Sequence, residues 1–326
     1  MGSDDRVAYH RVSLHHIDQK DQTYRISTAR SLEPLKISIA QLGIINPPTL
    51  VALENRYQIV SGFSRIAAWH ALGHRNVTAR CLPPDNAGLP CVMTAIADNA
   101  SQRELDVIEL SRACDLLAKA NVAGQDLINQ LQTLGLGINA SLLAKLRRVD
   151  GMSETLKDGL AEGTIALPTA LRLHDMVDAT DREQLCRLFR QLRLSLNRQR
   201  ELFDWIHAIS RRDHRSVVSL LNEEPVSGWR QDRGLDPRQR CRLIREYFKN
   251  QRFPEISAHE RRFNDGVNRL NLQNRIRLTP PPYFEGRTYC MQLEFENPQE
   301  LNHHIGELQR IIEFPAFKQL IEKEEK

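Results

Sequence analysis

The sequence lacks the segments that mark membrane, secreted and zinc-binding proteins. The longest apolar stretches, such as Ile37 to Ile45, are broken by serine, glutamine or glycine well short of the ~20 residues of a transmembrane helix. The residues from Met1 to Arg6 contain no apolar signal core, so we expect a cytoplasmic protein that is not attached to a membrane. The six cysteines include no CxxC pair, which predicts reduced thiols rather than disulfides or a zinc site.

Lysine is also scarce, because 36 of the 45 basic residues are arginine. The planar guanidinium binds phosphate through two parallel hydrogen bonds, which lysine cannot match. The net charge is only +4, but residues 182–277 contain 22 basic and 12 acidic residues and the remainder of the chain carries −6. Two interpretations stay open for residues 182–277: a solvated arginine-rich surface, or a surface that faces a polyanion.

The length of 326 residues suits two or three domains, and no internal repeat or low-complexity tract is evident. The order of helix and strand patterns predicts an α+β protein built from four successive parts. These are a small α/β head (1–94), a helix-turn-helix region (95–180), an arginine-rich helical region (181–279) and a C-terminal strand and helix (280–326).

Helix and strand patterns alternate in the head. They predict helices at 31–42 and 65–72, and strands at 49–53, 57–60 and 76–81. From residue 95 to about 277 the pattern is helical, and Pro280 to Pro282 is typical of a rigid linker. We expect Trp205 to belong to a helical core, while the place of Trp229 stays open.

The C-terminal part alternates like a strand from Thr288 to Phe295 and is helical from Pro298 to Phe314. One side of this helix is apolar and consists of Leu301, Ile305, Leu308 and Ile312. We interpret this strand and helix as a dimerisation element.

The first candidate site lies where a strand ends at Gly62 and a helix begins, with Arg65 on its first turn. Backbone N–H groups at such a junction attract phosphate, and an arginine adds a charged fork. An ordinary strand-to-helix turn with a surface arginine is the alternative.

The second candidate site is the pair Asp98 and Asn99, which we place at the start of a helix. A carboxylate beside an amide offers oxygen ligands to a hard cation such as Mg²⁺. The alternative is a plain helix N-cap, where both residue types are common.

The third candidate site is the stretch from Gly124 to Val149, which has helix-turn-helix spacing. Asparagine suits adenine edges and arginine suits guanine, while lysine contacts phosphates. An ordinary helical hairpin is the alternative. The polar positions of the second helix are Asn139, Ser141, Lys145, Arg147 and Arg148.

These three sites occur in the order and at the approximate spacing found in one family, and from residue 10 to 180 the chain resembles the ParB family of partition proteins. Ile45-Asn46-Pro47 is similar to the family's I-Q-P segment, and residues 61–68 to its G-E-R-R-x-R-A box. Residues 98–109 are similar to its E-N-x-Q-R-x-x-L-x-x-I-E box, and residues 160–173 to the segment that follows its helix-turn-helix.

The resemblance implies a CTP-dependent DNA clamp: a head that binds CTP and Mg²⁺, a helix-turn-helix that binds a palindromic duplex site, and a C-terminal piece that makes a homodimer. Asn99 would help to hold the metal, and Asn139, Ser141, Lys145, Arg147 and Arg148 would contact DNA. The implied nucleotide-binding residues are Asn46, Pro47, Gly62, Phe63, Ser64, Arg65, Asp98, Asn99, Gln102 and Arg103.

The chain departs from the family pattern at four pocket positions. Phe63 replaces a glutamate, Ser64 and Ala67 replace arginines, and Asp98 replaces a glutamate. CTP hydrolysis therefore stays open. Residues 1–12 carry no basic leucine-glycine segment of the kind the family uses to stimulate a partition ATPase, so that partner also stays open.

Our leading hypothesis is a CTP-responsive, nucleoid-associated protein that binds a specific duplex site in chromosome or plasmid partition or in nucleoid organisation. One alternative is an enzyme, because the ParB-like head also occurs in nucleases and in a phosphotransferase that acts on free serine. Another is an accessory DNA-binding regulator that has lost nucleotide binding.

Overall fold

A computed structural model describes residues 8–28, 31–272 and 275–321. The chain is α+β, as predicted, and it forms two compact units that divide between Gln199 and Arg200. Within the described residues, no helix is both long and apolar enough to cross a membrane.

A five-stranded mixed sheet organises the first unit. Its spatial order is β1-β5-β3-β4-β2, with β3 parallel to β5 and antiparallel to β4. The three predicted strands are confirmed as β3 to β5, and the prediction missed β1 and β2. The strands are β1 (Ala8–Ser13), β2 (Ile17–Asp18), β3 (Thr49–Ala52), β4 (Tyr57–Ser61) and β5 (Asn76–Leu82).

Both faces of this sheet are buried. Since neighbouring strand residues point in opposite directions, each strand contributes to a core on either side. Leu50 and Ile59 pack on one side with Phe63. Val51 and Val60 pack on the other side against the helices that follow the sheet. Two helices belong to the head, α1 (Glu33–Leu42) and α2 (Phe63–Ala71), and they contact each other.

The second core is continuous from the sheet into the helical region, so the first unit extends beyond the head. Helix α3 (Leu89–Gln102) itself crosses the predicted boundary at residues 94 and 95. The helices that follow are α4 (Val107–Lys119), α5 (Gly124–Thr133), α6 (Ala140–Leu146), α7 (Glu154–Ala161), α8 (Leu167–His174) and α9 (Ala179–Leu192). Helix α10 (Leu196–Arg212) runs across the division between the units.

The described residues of the second unit comprise most of α10, six further helices and a strand pair. The helices are α11 (Val217–Asn222), α12 (Val226–Gln231), α13 (Pro237–Arg252), α14 (Pro254–Leu270), α15 (Pro298–Glu313) and α16 (Pro315–Ile321). Strand β6 (Ile276–Thr279) pairs antiparallel with β7 (Cys290–Leu293). The predicted C-terminal strand and helix are thus present, whereas β6 replaces the end of the predicted helical stretch. The three prolines lie in the connection between these paired strands.

Candidate functional site

A cavity of about 320 Å³ opens in the head. Its walls come from the segment before α1, from α1 and its exit, from the start of α2 and from the end of α3. Eight of the ten residues predicted to bind nucleotide line it: Asn46, Gly62, Phe63, Ser64, Arg65, Asn99, Gln102 and Arg103. Three of the segments that carry the family resemblance, 45–47, 61–68 and 98–109, therefore meet at one cavity.

Gly62 directly follows β4 and forms the N-cap of α2 in a left-handed conformation, with φ of +88°. A Cβ at this position would lie 2.8 Å from the Cβ of Pro48, so glycine alone fits without a shift of backbone or ring. The helix begins at Phe63, two residues before the predicted start. No side chain caps it, so the N–H groups of its first turn are available to an anion.

Arg65 is held from two sides and is only 14% exposed. Its Nη1 donates to the carbonyl of Asn46 at 2.6 Å and to that of Pro47 at 3.3 Å. Its Nη2 donates to Oδ2 of Asp98 at 2.7 Å. Pro47 and Asp98, the two predicted residues that do not line the cavity, thus fix the arginine that does.

Asn99 lies near the C-terminal end of α3, so the prediction that Asp98 and Asn99 start a helix is wrong. The helix that begins after this segment is α4, and its N-cap is Asp106 rather than Asp98. The Nδ2 of Asn99 donates to the carbonyl of Ala95 at 2.8 Å. Its Oδ1 has no hydrogen-bond donor within the described part of the chain, and it is the candidate metal ligand.

Arg103 forms a two-bond ion pair with Glu109 in the wall of the cavity. Nη1 lies 2.6 Å from Oε2 and Nη2 lies 2.5 Å from Oε1. Glu109 also accepts hydrogen bonds from the backbone N–H groups of Thr28 and Asp106. Burial alone would raise the pKa of Glu109, but these hydrogen bonds hold it below its ordinary value.

Phe63 occupies the position where the resemblance would place a glutamate. Its side chain is 9% exposed and belongs to the core on one face of the sheet. The guanidinium of Arg25 lies over its ring, 5.7 Å from the centroid. This position therefore supplies packing and contributes no carboxylate to the cavity.

Helices α5 and α6 are joined by a short turn, as the sequence predicts. Leu143 and Leu146 are buried, while the five predicted DNA-contacting residues are exposed. Helix α6 is tied to α4, because Oγ of the buried Ser111 donates to the carbonyl of Leu146 at 2.9 Å.

Two of the five residues already have partners. Asn139 is the N-cap of α6, and its Oδ1 accepts from the N–H of Leu142 at 2.8 Å. Arg148 forms an exposed ion pair with Asp175. Ser141, Lys145 and Arg147 remain exposed on and just beyond α6.

Sequence comparison decides the identity of the first domain. A protein-family model described as the ParB N-terminal domain matches residues 2–100. Residues 2–100 therefore form a ParB N-terminal domain.

Solved ParB structures resemble the chain only distantly. C-terminally truncated ParB from Caulobacter crescentus complexed with CTP-γ-S is 21% identical, with a TM-score of 0.27, and the match covers 56% of this chain and 98% of that chain. The same protein complexed to the centromeric parS site is 20% identical, with a TM-score of 0.35 and coverage of 58% and 96%. A Pnob8-like ParB-N domain is 17% identical, with a TM-score of 0.39 and coverage of 60% and 96%. No curated protein matches.

Sequence reasoning did not name Thr28 or Glu109 as residues of the site beside this ParB N-terminal domain. Thr28 lines the cavity from a segment without a recognisable motif. Glu109 carried a usable signal, since aspartate followed three residues later by glutamate before an apolar run marks a capping box. The structure contains that capping box between Asp106 and Glu109.

Proposed function

We propose that this protein is a ParB-like DNA-binding protein of chromosome or plasmid partition, or of nucleoid organisation, and that its head binds CTP with Mg²⁺. The observation that carries the proposal is the convergence of three separate motifs on one cavity. A protein with this function acts on the nucleoid, in the cytoplasm.

The cavity has features that suit a nucleoside triphosphate. Its volume of about 320 Å³ lies within the ~300–1,000 Å³ of ligand pockets. The uncapped start of α2 offers N–H groups to phosphate oxygens. The described residues contain no cluster of three or more His, Cys, Asp or Glu side chains for a metal. Mg²⁺ would therefore be held by Asn99 together with phosphate oxygens and water, a common arrangement for this ion.

A second candidate function has its own support. Asp98 and Glu109 neutralise Arg65 and Arg103, so a triphosphate has to compete with carboxylates of the chain itself. An accessory DNA-binding regulator that has lost nucleotide binding would keep such ion pairs for stability alone.

A calorimetric titration of CTP with Mg²⁺ into the full chain separates these candidates. We expect saturable binding that is lost in Arg65→Ala and about 10-fold tighter in Asp98→Asn, where Arg65 is released to the phosphates. Arg56→Ala is the matched control, because Arg56 pairs with Asp18 outside the cavity. The absence of binding in both the wild type and Asp98→Asn would contradict nucleotide binding and support the regulator.

We propose that α5 and α6 form the helix-turn-helix that binds duplex DNA. The exposed polar side of α6 and its attachment to α4 support this assignment. Pull-down of random duplexes followed by sequencing tests it. An enriched site is expected, and equal recovery of all sequences would overturn specific binding.

We also propose that α15 takes part in a homodimer. Ile305 and Ile312 are seven residues apart on one side of this helix and are 42% and 50% exposed. Such a repeat is typical of helices that pair with a second copy. Light scattering should give twice the chain mass for the wild type and the chain mass for Ile305→Asp/Ile312→Asp. An unchanged mass in the double variant would exclude this face.

A further inference from the structure

A second cavity lies in the arginine-rich region, between α10, α13 and α14, and it is separate from the proposed nucleotide site. Its volume is about 360 Å³. All of its lining residues belong to the second unit. We propose that it binds a small phosphate-bearing anion.

The first argument is a buried hydroxyl without a partner. Ser257 is 2% exposed and lines the cavity, and its Oγ has no hydrogen-bond partner among the described residues. The Nε of Arg245, another lining residue, is also buried without a partner. Because buried polar atoms are almost always hydrogen-bonded, these two donors in one cavity can serve an acceptor that enters it.

The second argument is the charge of the walls. Arg242, Arg245, Lys249 and Arg261 contribute four positive charges, against the two negative charges of Glu246 and Glu260. Lys249 is engaged by Glu260 at 2.7 Å, and Arg245 by Glu201 at 2.6 Å.

Arg242 on α13 and Arg261 on α14 are the exposed lining cations for which no ion pair is seen among the described residues. Two guanidinium groups supplied by different helices of one cavity wall suit the several oxygens of a phosphate.

The third argument concerns the source of the phosphate. The phosphates of duplex DNA lie on the surface of a wide double helix. They can contact exposed side chains, but they cannot enter the cavity to reach the buried Oγ of Ser257. A free phosphate-bearing molecule can enter the cavity and accept from this hydroxyl. We therefore assign the site to a small ligand rather than to the DNA backbone.

Trp205 provides a local signal for the test. This side chain, which we expected in the core, is half-buried in the cavity wall, and the guanidinium of Arg245 lies 5.8 Å from its ring centroid. Any ligand that moves Arg245 changes the surroundings of the indole. In the full chain with Trp69→Phe and Trp229→Phe, Trp205 is the only tryptophan that remains.

The experiment titrates inorganic phosphate and pyrophosphate into this variant, with chloride at equal ionic strength as reference. We expect a saturable fluorescence change that Ser257→Ala and Arg261→Gln each weaken about 10-fold, since each removes a hydrogen bond to an anion. Arg262→Gln is the matched control, because this neighbouring arginine does not line the cavity, and it should change the affinity less than about 2-fold.

Three results would overturn the assignment: a response equal to that of chloride, a saturable response that Ser257→Ala and Arg261→Gln leave unchanged, and a response to a random duplex but not to free phosphate. Calorimetry on the chain with all three tryptophans repeats the titration in case the fluorescence variant does not fold. Loss of CTP binding in Arg65→Ala would not alter the outcome, since that residue lies in the other cavity.

Discussion

The Glu109 side chain is fully buried, and both of its carboxylate oxygens accept hydrogen bonds from the Nη atoms of Arg103, at 2.5 and 2.6 Å. The pair joins the end of α3 to the first turn of α4 across the short connection between these helices. Glu109 also accepts from the N–H of Thr28, so three segments meet on one carboxylate. Because Thr28 and Arg103 line the head cavity, the same carboxylate fixes part of its wall.

Glu109→Gln should lower the free energy of unfolding by about 1–3 kcal/mol, because the amide leaves partly buried donors of Arg103 and Thr28 without their charged acceptor. Urea denaturation followed by circular dichroism measures the change. Glu104→Gln, at an exposed position in the same connection, should shift the midpoint far less. Equal midpoints for Glu109→Gln and the wild type would show that the pair contributes nothing to stability.

The contribution of Glu109 should depend on pH. Its pKa in the folded protein lies below the ordinary value of 4.5, in spite of burial, because of the hydrogen bonds from Arg103 and backbone N–H groups. A carboxyl with a lowered pKa stabilises the fold fully above its ordinary pKa, and this stabilisation is lost as the pH falls through the folded value.

The stability difference between the wild type and Glu109→Gln should therefore be constant near neutral pH and shrink below about pH 4.5. Taking this difference cancels the titration of the other carboxylates. Urea midpoints of both proteins across this range provide the measurement. A difference that grows on acidification would contradict the assigned direction.

Gly62 and Gly73 form a matched pair for a test of close approach. Both have positive φ, +88° and +85°, but a Cβ would meet Pro48 at 2.8 Å only at Gly62 and nothing within 4 Å at Gly73. Gly73→Ala should cost about 1 kcal/mol from backbone strain alone.

Gly62→Ala should cost more, and it should also abolish the CTP binding proposed for the head, since the start of α2 has to move. Thermal unfolding and calorimetry of both variants measure the two effects. Equal losses of stability in the two variants would show that the contact with Pro48 is unimportant.

Several elements could be predicted because their signals are local. The turn at Gly62, the helix that ends at Gly43 and the hydrophobic pattern of α6 each depend on residues within one or two turns. Strands β1 and β2 escaped prediction because half of the residues of β1 are polar and β2 has two residues, so only their partners in the sheet define them.

The ion pairs of the candidate site depend on tertiary structure. Arg65 and Asp98 are 33 residues apart, and the sequence suggested that both would face a ligand. The fold instead brings them to each other. The boundaries of α3 explain the error, because the helix extends past Asp98 and turns this carboxylate toward the start of α2.

Within α6 the structure separates residues that report on DNA contact from one that also reports on folding. Asn139→Ala removes the N-cap, so it should cost about 1 kcal/mol of stability in addition to any effect on DNA. Ser141 and Lys145 are exposed without a capping role, and they are the cleaner test positions.

Lys145→Ala should weaken binding to all duplexes and reduce the salt dependence by about one phosphate contact. Ser141→Ala should instead change the preferred sequence, at a cost of about 1–3 kcal/mol for the affected base pair. Fluorescence anisotropy with the enriched and a scrambled duplex at several salt concentrations measures both effects.

Asp175→Ala serves as a control in which the affinity should rise. The substitution frees Arg148 from its ion pair, so binding to every duplex should strengthen. A Ser141→Ala variant that loses equal affinity for both duplexes, together with a Lys145→Ala variant whose salt dependence is unchanged, would contradict the assignment of α6 as the recognition helix.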